Sequence, residues 1–164
     1  MNLAEINALP AAAFLSAFAA VAEHSPWVAE RAAAARPFAS REAMVEAFQA
    51  AISRATRAEQ EALILAHPDL AGRARLAVFS QREQRGAGLD SLLAEELARF
   101  EDLNQRYRAR FGFPFILAVK GADKKRILAA FEERIGGAPE EEFWTALAQV
   151  MRIARFRLEE RVGE

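Results

Sequence analysis

The stretch "SREAMVEAFQAAISR" at residues 40–54 decides the class of fold that this sequence adopts. Its apolar residues Met44, Phe48 and Ile52 recur at four-residue spacing, which places them on one face of an α-helix. Ser40 opens the stretch and belongs to the residue types that cap helix N-termini. Alanine, leucine, arginine and glutamate, which all favour helix, dominate the rest of the chain. The sequence therefore predicts an all-α protein.

The same periodicity continues in both directions from this stretch. It predicts helices over residues 11–23, 25–36, 57–65, 94–110, 123–135 and 139–162, with two short ones near 71–77 and 80–85. The helix 57–65 should stop at the His67–Pro68 step, because the residue before proline avoids the α region. We expect a single domain over residues 1–164, built as a bundle of eight or nine helices.

Capping residues set several of the predicted helix boundaries. Ser25 could cap the second helix, with Pro26 in its first turn. Asp123 can cap the next-to-last helix in the same way. In the last helix, Pro139 suits the first position and Glu140–Glu142 lie near the positive end of the helix dipole.

One segment departs from the helical pattern. The stretch "FGFPFILAVKGAD" at residues 111–123 looks like a β-strand but has no partner strand, so we predict an extended, buried segment near 111–120. Core packing accounts for most of its side chains. Buried backbone N–H and C=O groups nevertheless need partners, and a flat, amide-rich ligand is one way to supply them.

The composition argues against several functional classes. The chain has 164 residues, 52% apolar and 27% charged, which fits one domain with a real core. A formal net charge of −1 offers no bulk attraction for nucleic acid or an anionic membrane. The apolar run at residues 10–22 lacks a basic n-region and is shorter than the roughly 18 residues of a membrane span. We interpret it as a buried helix and expect a cytoplasmic protein.

The sequence also lacks the patterns of common cofactor sites. It has no cysteine, two histidines and no Glu-x-x-His or His-Glu-x-x-His run, so we predict no metal site. It has no phosphate-binding glycine loop. Any catalysis must then be sought among side chains that transfer protons or bind small polar molecules.

Three positions stand out as candidates for such chemistry. His67 could act as an acid or base, since an unperturbed imidazole titrates at about pH 6.5, or it could simply donate to carbonyl groups at a helix end. Glu83 and Gln84 could hold a polar ligand or form a solvated turn. Arg157 is the arginine of the last helix most suited to face inward, where it needs an anion such as Glu83 or a substrate carboxylate. His24 fits a structural role at a helix end.

Five stretches, in order, carry a specific family resemblance. They are "EHSPWVAERAAAARPF", "AHPDLAGR", "SQREQRGAGLD", "FEDLNQRYRARFGFPFILAVKG" and "RIARFRLEERV". With their His-Pro-Asp-Leu, Ser-x-x-Glu-Gln and Phe-Gly-x-Pro-Phe motifs, they closely resemble the 2-oxo-4-hydroxy-4-carboxy-5-ureidoimidazoline (OHCU) decarboxylase family of urate degradation. The resemblance runs from about residue 6 to residue 162.

The resemblance implies an all-α, cofactor-independent and usually homodimeric enzyme that converts OHCU to (S)-allantoin and CO2. It implies a hydroxyisourate hydrolase upstream. The catalytic positions that it implies are His67, Glu83 and Arg157. The substrate-binding positions that it implies are Pro68, Ser80, Gln84, Phe115, Ile116, Leu117, Ala118 and Val119.

Two other interpretations remain open at this point. A paralogue could act on a related ureido or imidazoline acid through the same pocket. A non-catalytic helical interaction module could keep the motifs without the reaction, and scattered positions of His67, Glu83 and Arg157 would favour that interpretation.

Overall fold

The computed structural model describes residues 1–70, 94–120 and 123–163, and these ranges confirm the all-α prediction. They contain eight α-helices and no strand. The helices are α1 (Leu3–Ala8), α2 (Ala11–Phe18), α3 (Trp27–Ala33), α4 (Arg41–Ser53), α5 (Arg57–Ala66), α6 (Ala94–Phe111), α7 (Lys124–Ile135) and α8 (Pro139–Arg161), with a 3-10 helix at Ala19–Val21. The short helices predicted near 71–77 and 80–85 lie outside the described residues.

The chain divides into two compact units. The first unit comprises Met1–Ala66 together with Val150–Glu164, and the second comprises His67–Gln149. The prediction of a single domain over residues 1–164 stays a prediction.

The core of the first unit forms around the stretch that predicted the fold. Met44, Phe48 and Ile52 are all fully buried, as their spacing in α4 predicted. The rings of Phe14 and Phe18 each lie 6.3 Å from the ring of Phe48, measured between centroids. Packing of this apolar face, rather than helix propensity alone, stabilises α4.

The predicted caps of α4 and α7 are confirmed. The Ser40 side chain accepts a hydrogen bond from the Ala43 N–H at 3.0 Å. The Asp123 side chain accepts one from the Arg126 N–H at 2.9 Å. Each bond satisfies a backbone donor that has no partner within its helix, and Gly136 is the C-cap of α7.

The N-terminal part of the first unit differs from the sequence prediction in two respects. The Ser25 hydroxyl donates to the Glu23 carbonyl at 2.8 Å instead of capping a helix, and α3 begins at Trp27 without a side-chain cap. The helix predicted over 11–23 is α-helical only to Phe18 and ends in the 3-10 turn. His24 follows in the left-handed region at φ 47°, which accords with its predicted structural role at a helix end.

The second unit has an aromatic core that involves α6, α7 and the non-helical segment between them. We call it the aromatic cluster; its buried members are Leu70, Phe100, Leu103, Tyr107, Phe115, Ile127 and Phe131. Gly112 ends α6 at φ +77°, a left-handed conformation that glycine adopts readily. Its N–H donates to the Arg108 carbonyl at 2.8 Å. Beyond it the chain runs as the predicted extended, largely buried segment up to Val119.

No helix in the described ranges is long and apolar enough to cross a membrane.

Candidate functional site

His67 is a buried histidine at the start of the second unit. It follows α5 directly, because Pro68 ends that helix where the sequence predicted, and it is 4% exposed. Pro68 itself is exposed. A buried imidazole is shielded from bulk water, which favours specific proton transfer over exchange with solvent.

The residues that follow His67 fix this stretch to the core of the second unit. Leu70 is a buried member of the aromatic cluster, together with Phe115. Asp69 lies 3.3 Å from Arg108 of α6, measured between Oδ1 and Nε. The His-Pro-Asp-Leu motif and the extended segment are therefore anchored in the same cluster.

The extended segment is held from one side by side chains of two helices. We use the term for residues 115–119, of which Phe115, Ile116 and Ala118 are buried and Leu117 and Val119 are half-buried. Arg134 Nη1 donates to the Ile116 carbonyl at 2.6 Å. Gln149 Oε1 accepts from the Ala118 N–H at 2.9 Å. Side chains thus provide part of the backbone pairing for which the sequence analysis offered a ligand as one possible source.

Beneath the segment lies a buried polar triad of Tyr107, Glu142 and Arg134. The Tyr107 hydroxyl donates to Glu142 Oε1, and the Arg134 Nε donates to the same oxygen at 2.7 Å. Glu142 is 4% exposed and the Arg134 side chain 11%. Burial, followed by the hydrogen bond to Glu142, raises the pKa of Tyr107 above its ordinary value.

This raised pKa predicts an unusual alkaline titration. Tyr107 is the chain's only tyrosine, so phenolate absorbance reports on it alone. We expect the folded protein to show little phenolate at about pH 11, where an exposed phenol of pKa about 10 is mostly ionised. Since the phenol ionises more easily in the unfolded chain, the free energy of unfolding should fall as pH rises above about 10.

The measurement is an ultraviolet titration of the native protein with denaturant unfolding at matched pH values. The same titration in denaturant provides the control and should show ordinary tyrosine ionisation. Phenolate that appears near pH 10 while the protein stays folded would contradict the prediction.

Arg157 is half-buried in the first unit and has a carboxylate partner there. Its Nη1 donates to the Val21 carbonyl at 3.0 Å, and its Nη2 donates to Glu23 Oε1 at 2.5 Å. The sequence led us to expect Glu83 or a substrate as its anion; the anion among the described residues is Glu23. A guanidinium carries five N–H donors, so these two contacts hold the side chain without using its full hydrogen-bonding capacity.

The predicted catalytic positions do not all fall within one described unit. Ser80, Glu83 and Gln84 lie outside the described residues. His67 belongs to the second unit and Arg157 to the first. Their predicted convergence with Glu83 in one pocket stays a prediction.

Sequence reasoning missed the buried role of Glu142 and its partners. We interpreted Glu140–Glu142 together as acidic residues near a helix dipole. The spacing of Glu142, Ala146 and Gln149 on α8 could have separated Glu142 from its neighbours, because residues at i, i+4 and i+7 share one helix face. Ala146 is fully buried, so this face points inward. Tyr107, on the apolar face of α6, was a second signal, since a buried hydroxyl needs a partner.

Comparisons with known proteins agree with the resemblance seen in the sequence. The family model described as OHCU decarboxylase matches residues 7–159. The chain is 44% identical to the OHCU decarboxylase of Haloferax volcanii, covering 98% of this chain and 96% of that protein. It is 39% identical to a uric acid degradation bifunctional protein of Bacillus sp. (strain TB-90), covering 100% of this chain and 33% of that protein. A crystal structure of an (S)-allantoin synthase superimposes with a TM-score of 0.82 at 32% identity, covering 99% of this chain and 54% of that one.

Proposed function

We propose that His67 is the general acid–base group of this chain, which belongs to the OHCU decarboxylase family. The activity is decarboxylation in urate catabolism, a carbon–carbon lyase reaction. The product is (S)-allantoin. The observation that supports the role of His67 is its position: it is 4% exposed and stands in a motif anchored beside the extended segment.

The chemistry of the substrate explains why a proton-transfer residue is enough. The carboxylate of OHCU is on a carbon next to a C=N carbon. When the carbon–carbon bond to the carboxylate breaks and CO2 leaves, its electron pair forms a carbon–carbon double bond to the C=N carbon. The C=N electrons move to the ring nitrogen, which takes up a proton. The substrate ring is thus its own electron sink, and we propose that the enzyme needs no organic cofactor or metal.

The remaining steps are proton transfers that a buried imidazole can perform. Loss of CO2 leaves a carbon–carbon double bond that bears the substrate's hydroxyl at one end and its ureido group at the other. His67 takes up the hydroxyl proton as the carbonyl of allantoin forms and helps to deliver a proton to the ureido-bearing carbon. Delivery to one face alone gives the (S) enantiomer.

The other predicted positions hold the substrate for this step. Glu83 orients His67 or the ureido N–H groups. Ser80, Gln84 and the backbone of the extended segment bind the ring and ureido amides. Arg157 positions an anionic or carbonyl group of the substrate. Tight binding of the departing carboxylate would stabilise the ground state and slow the reaction, so positioning is the better use of this arginine.

We also propose the cellular setting that the family resemblance implies. The chain acts as a cytoplasmic homodimer downstream of a hydroxyisourate hydrolase. The match to bifunctional uric acid degradation proteins, of which this chain covers about a third, supports a close link to another step of that pathway. Light scattering of the purified protein tests the dimer.

A coupled optical assay tests the function. Urate is oxidised, hydroxyisourate hydrolase generates the unstable substrate, and circular dichroism follows allantoin after this protein is added. We expect rapid appearance of (S)-allantoin. Slow racemic product with the intact protein would contradict OHCU as the substrate and favour first a paralogue acting on a related ureido or imidazoline acid, then a non-catalytic helical module.

A further inference from the structure

Two side chains from different helices hold the extended segment at backbone groups two residues apart. Arg134 of α7 binds the Ile116 carbonyl and Gln149 of α8 binds the Ala118 N–H. In an extended chain the backbone groups of alternate residues point to the same edge. These contacts therefore fix one edge of the segment and direct the backbone of the intervening residue, Leu117, to the opposite edge.

The position of Arg134 is itself fixed by several contacts. Its guanidinium pairs with buried Glu142, which also accepts from Tyr107. It lies over the Phe115 ring at 4.4 Å, and that ring stacks on Phe131 at 3.7 Å between centroids. A planar guanidinium with these neighbours has little freedom to rotate, so it can hold the Ile116 carbonyl in one place.

The charges of Arg134 and Glu142 compensate each other. The positive Arg134 and the negative Glu142 face each other with 2.6 Å between Nη2 and Oε1. Gln149 is neutral and offers an acceptor to Ala118. The hydrogen bonds to Ile116 and Ala118 thus come from a charge-balanced pair and a neutral amide.

We propose that Arg134 and Gln149 are positioning residues for the decarboxylation, holding the extended segment so that its opposite edge binds the substrate amides. The inference rests on the proposed function and deepens it. Both residues act through the backbone of residues 115–119 and neither contacts the substrate. Misplacement of such a binding edge by a fraction of an ångström weakens its hydrogen bonds and so reduces substrate affinity.

The test uses Gln149→Leu, which keeps the side-chain size but removes the acceptor. We expect KM for OHCU to rise roughly 10- to 100-fold while kcat changes little. The melting temperature should fall by only a few degrees, because the Ala118 N–H loses its acceptor. Hydrogen exchange of the Ala118 amide should become faster. Gln149→Glu restores an acceptor oxygen and should recover most of the affinity.

The matched control is Gln105→Leu, the same change at an exposed glutamine of α6. Arg134→Lys provides a second variant: it keeps the charge beside Glu142 but lacks the guanidinium fork, and it should raise KM as well. If Gln149→Leu behaves like Gln105→Leu while the wild type is active, the inference is wrong and the proposed function stands. A wild type that does not convert OHCU contradicts the proposed function instead.

Discussion

Replacing His67 with asparagine lowers kcat for OHCU decarboxylation by about 10²–10⁴-fold, the usual contribution of a general acid–base residue. Asparagine keeps a polar side chain of similar size at this buried position, but it cannot transfer protons at neutral pH. We expect KM to change less than kcat, because the imidazole contributes mainly to the transition state. The remaining product should lose its optical purity, since protonation in solution has no preferred face.

The matched control for this variant is the chain's other histidine. His24 is exposed and has a left-handed backbone, which asparagine tolerates well. His24→Asn should therefore fold normally and retain full activity and stereoselectivity. Both variants are compared by thermal unfolding and by the coupled circular dichroism assay. Near-normal turnover by a folded His67→Asn protein would remove His67 from the acid–base role.

Most helix positions could be predicted from the sequence because their signals are local. The apolar spacing in α4, the cap at Ser40 and the break at Pro68 each depend on a few neighbouring residues. The extended segment was predictable for the same reason, since an apolar run without a partner strand cannot form a sheet.

Other features depend on neighbours that are distant in the sequence. The first helix, α1, was missed because it has six residues and no sustained periodicity, although Asn2 and Glu5 form a capping box. Glu142 lies in the first turn of α8 as predicted, but its burial was missed because its partners, Tyr107 and Arg134, lie on two other helices. Local pattern reasoning cannot reveal such a triad; only the folded chain brings its members together.

The surroundings of His67 were easier to predict from the sequence than those of Arg157. His67 follows a helix end that proline dictates, and its burial agrees with a functional or structural role alike. Arg157, predicted to face inward, is half-buried, and its anion among the described residues is Glu23. Glu23 becomes the partner of Arg157 through the packing of the chain near the 3-10 helix Ala19–Val21. The spacing of arginines on α8 does not predict that packing.

Replacing Glu142 with alanine should give the largest loss of stability among the variants considered. It leaves the Arg134 guanidinium, 11% exposed, without its carboxylate, and the Tyr107 hydroxyl without its acceptor. Removing one partner of a buried ion pair costs about 3–5 kcal/mol of unfolding free energy. We therefore expect denaturant unfolding to show a loss of that size.

The matched control is Glu141→Ala, which removes an exposed carboxylate from the same turn of α8. It tests whether Glu142 acts through the triad or only through the helix dipole, a contribution of about 0.3–1 kcal/mol near a helix N-terminus. Equal, small losses for the two variants would mean that the buried triad contributes nothing beyond the dipole.

A double variant separates the cost of an unpaired buried charge from the loss of the hydrogen bond that Arg134 gives to the segment. In Arg134→Met/Glu142→Leu both charges are absent, so no unpaired charge stays in the core, and we expect this protein to be more stable than Glu142→Ala. The extended segment would still lack its hold at Ile116, because the hydrogen bond from Arg134 is gone. Recovered stability with a persistently raised KM would therefore show that the loss in Glu142→Ala comes from the unpaired buried charge, whereas the position of the segment depends on the hydrogen bond from Arg134.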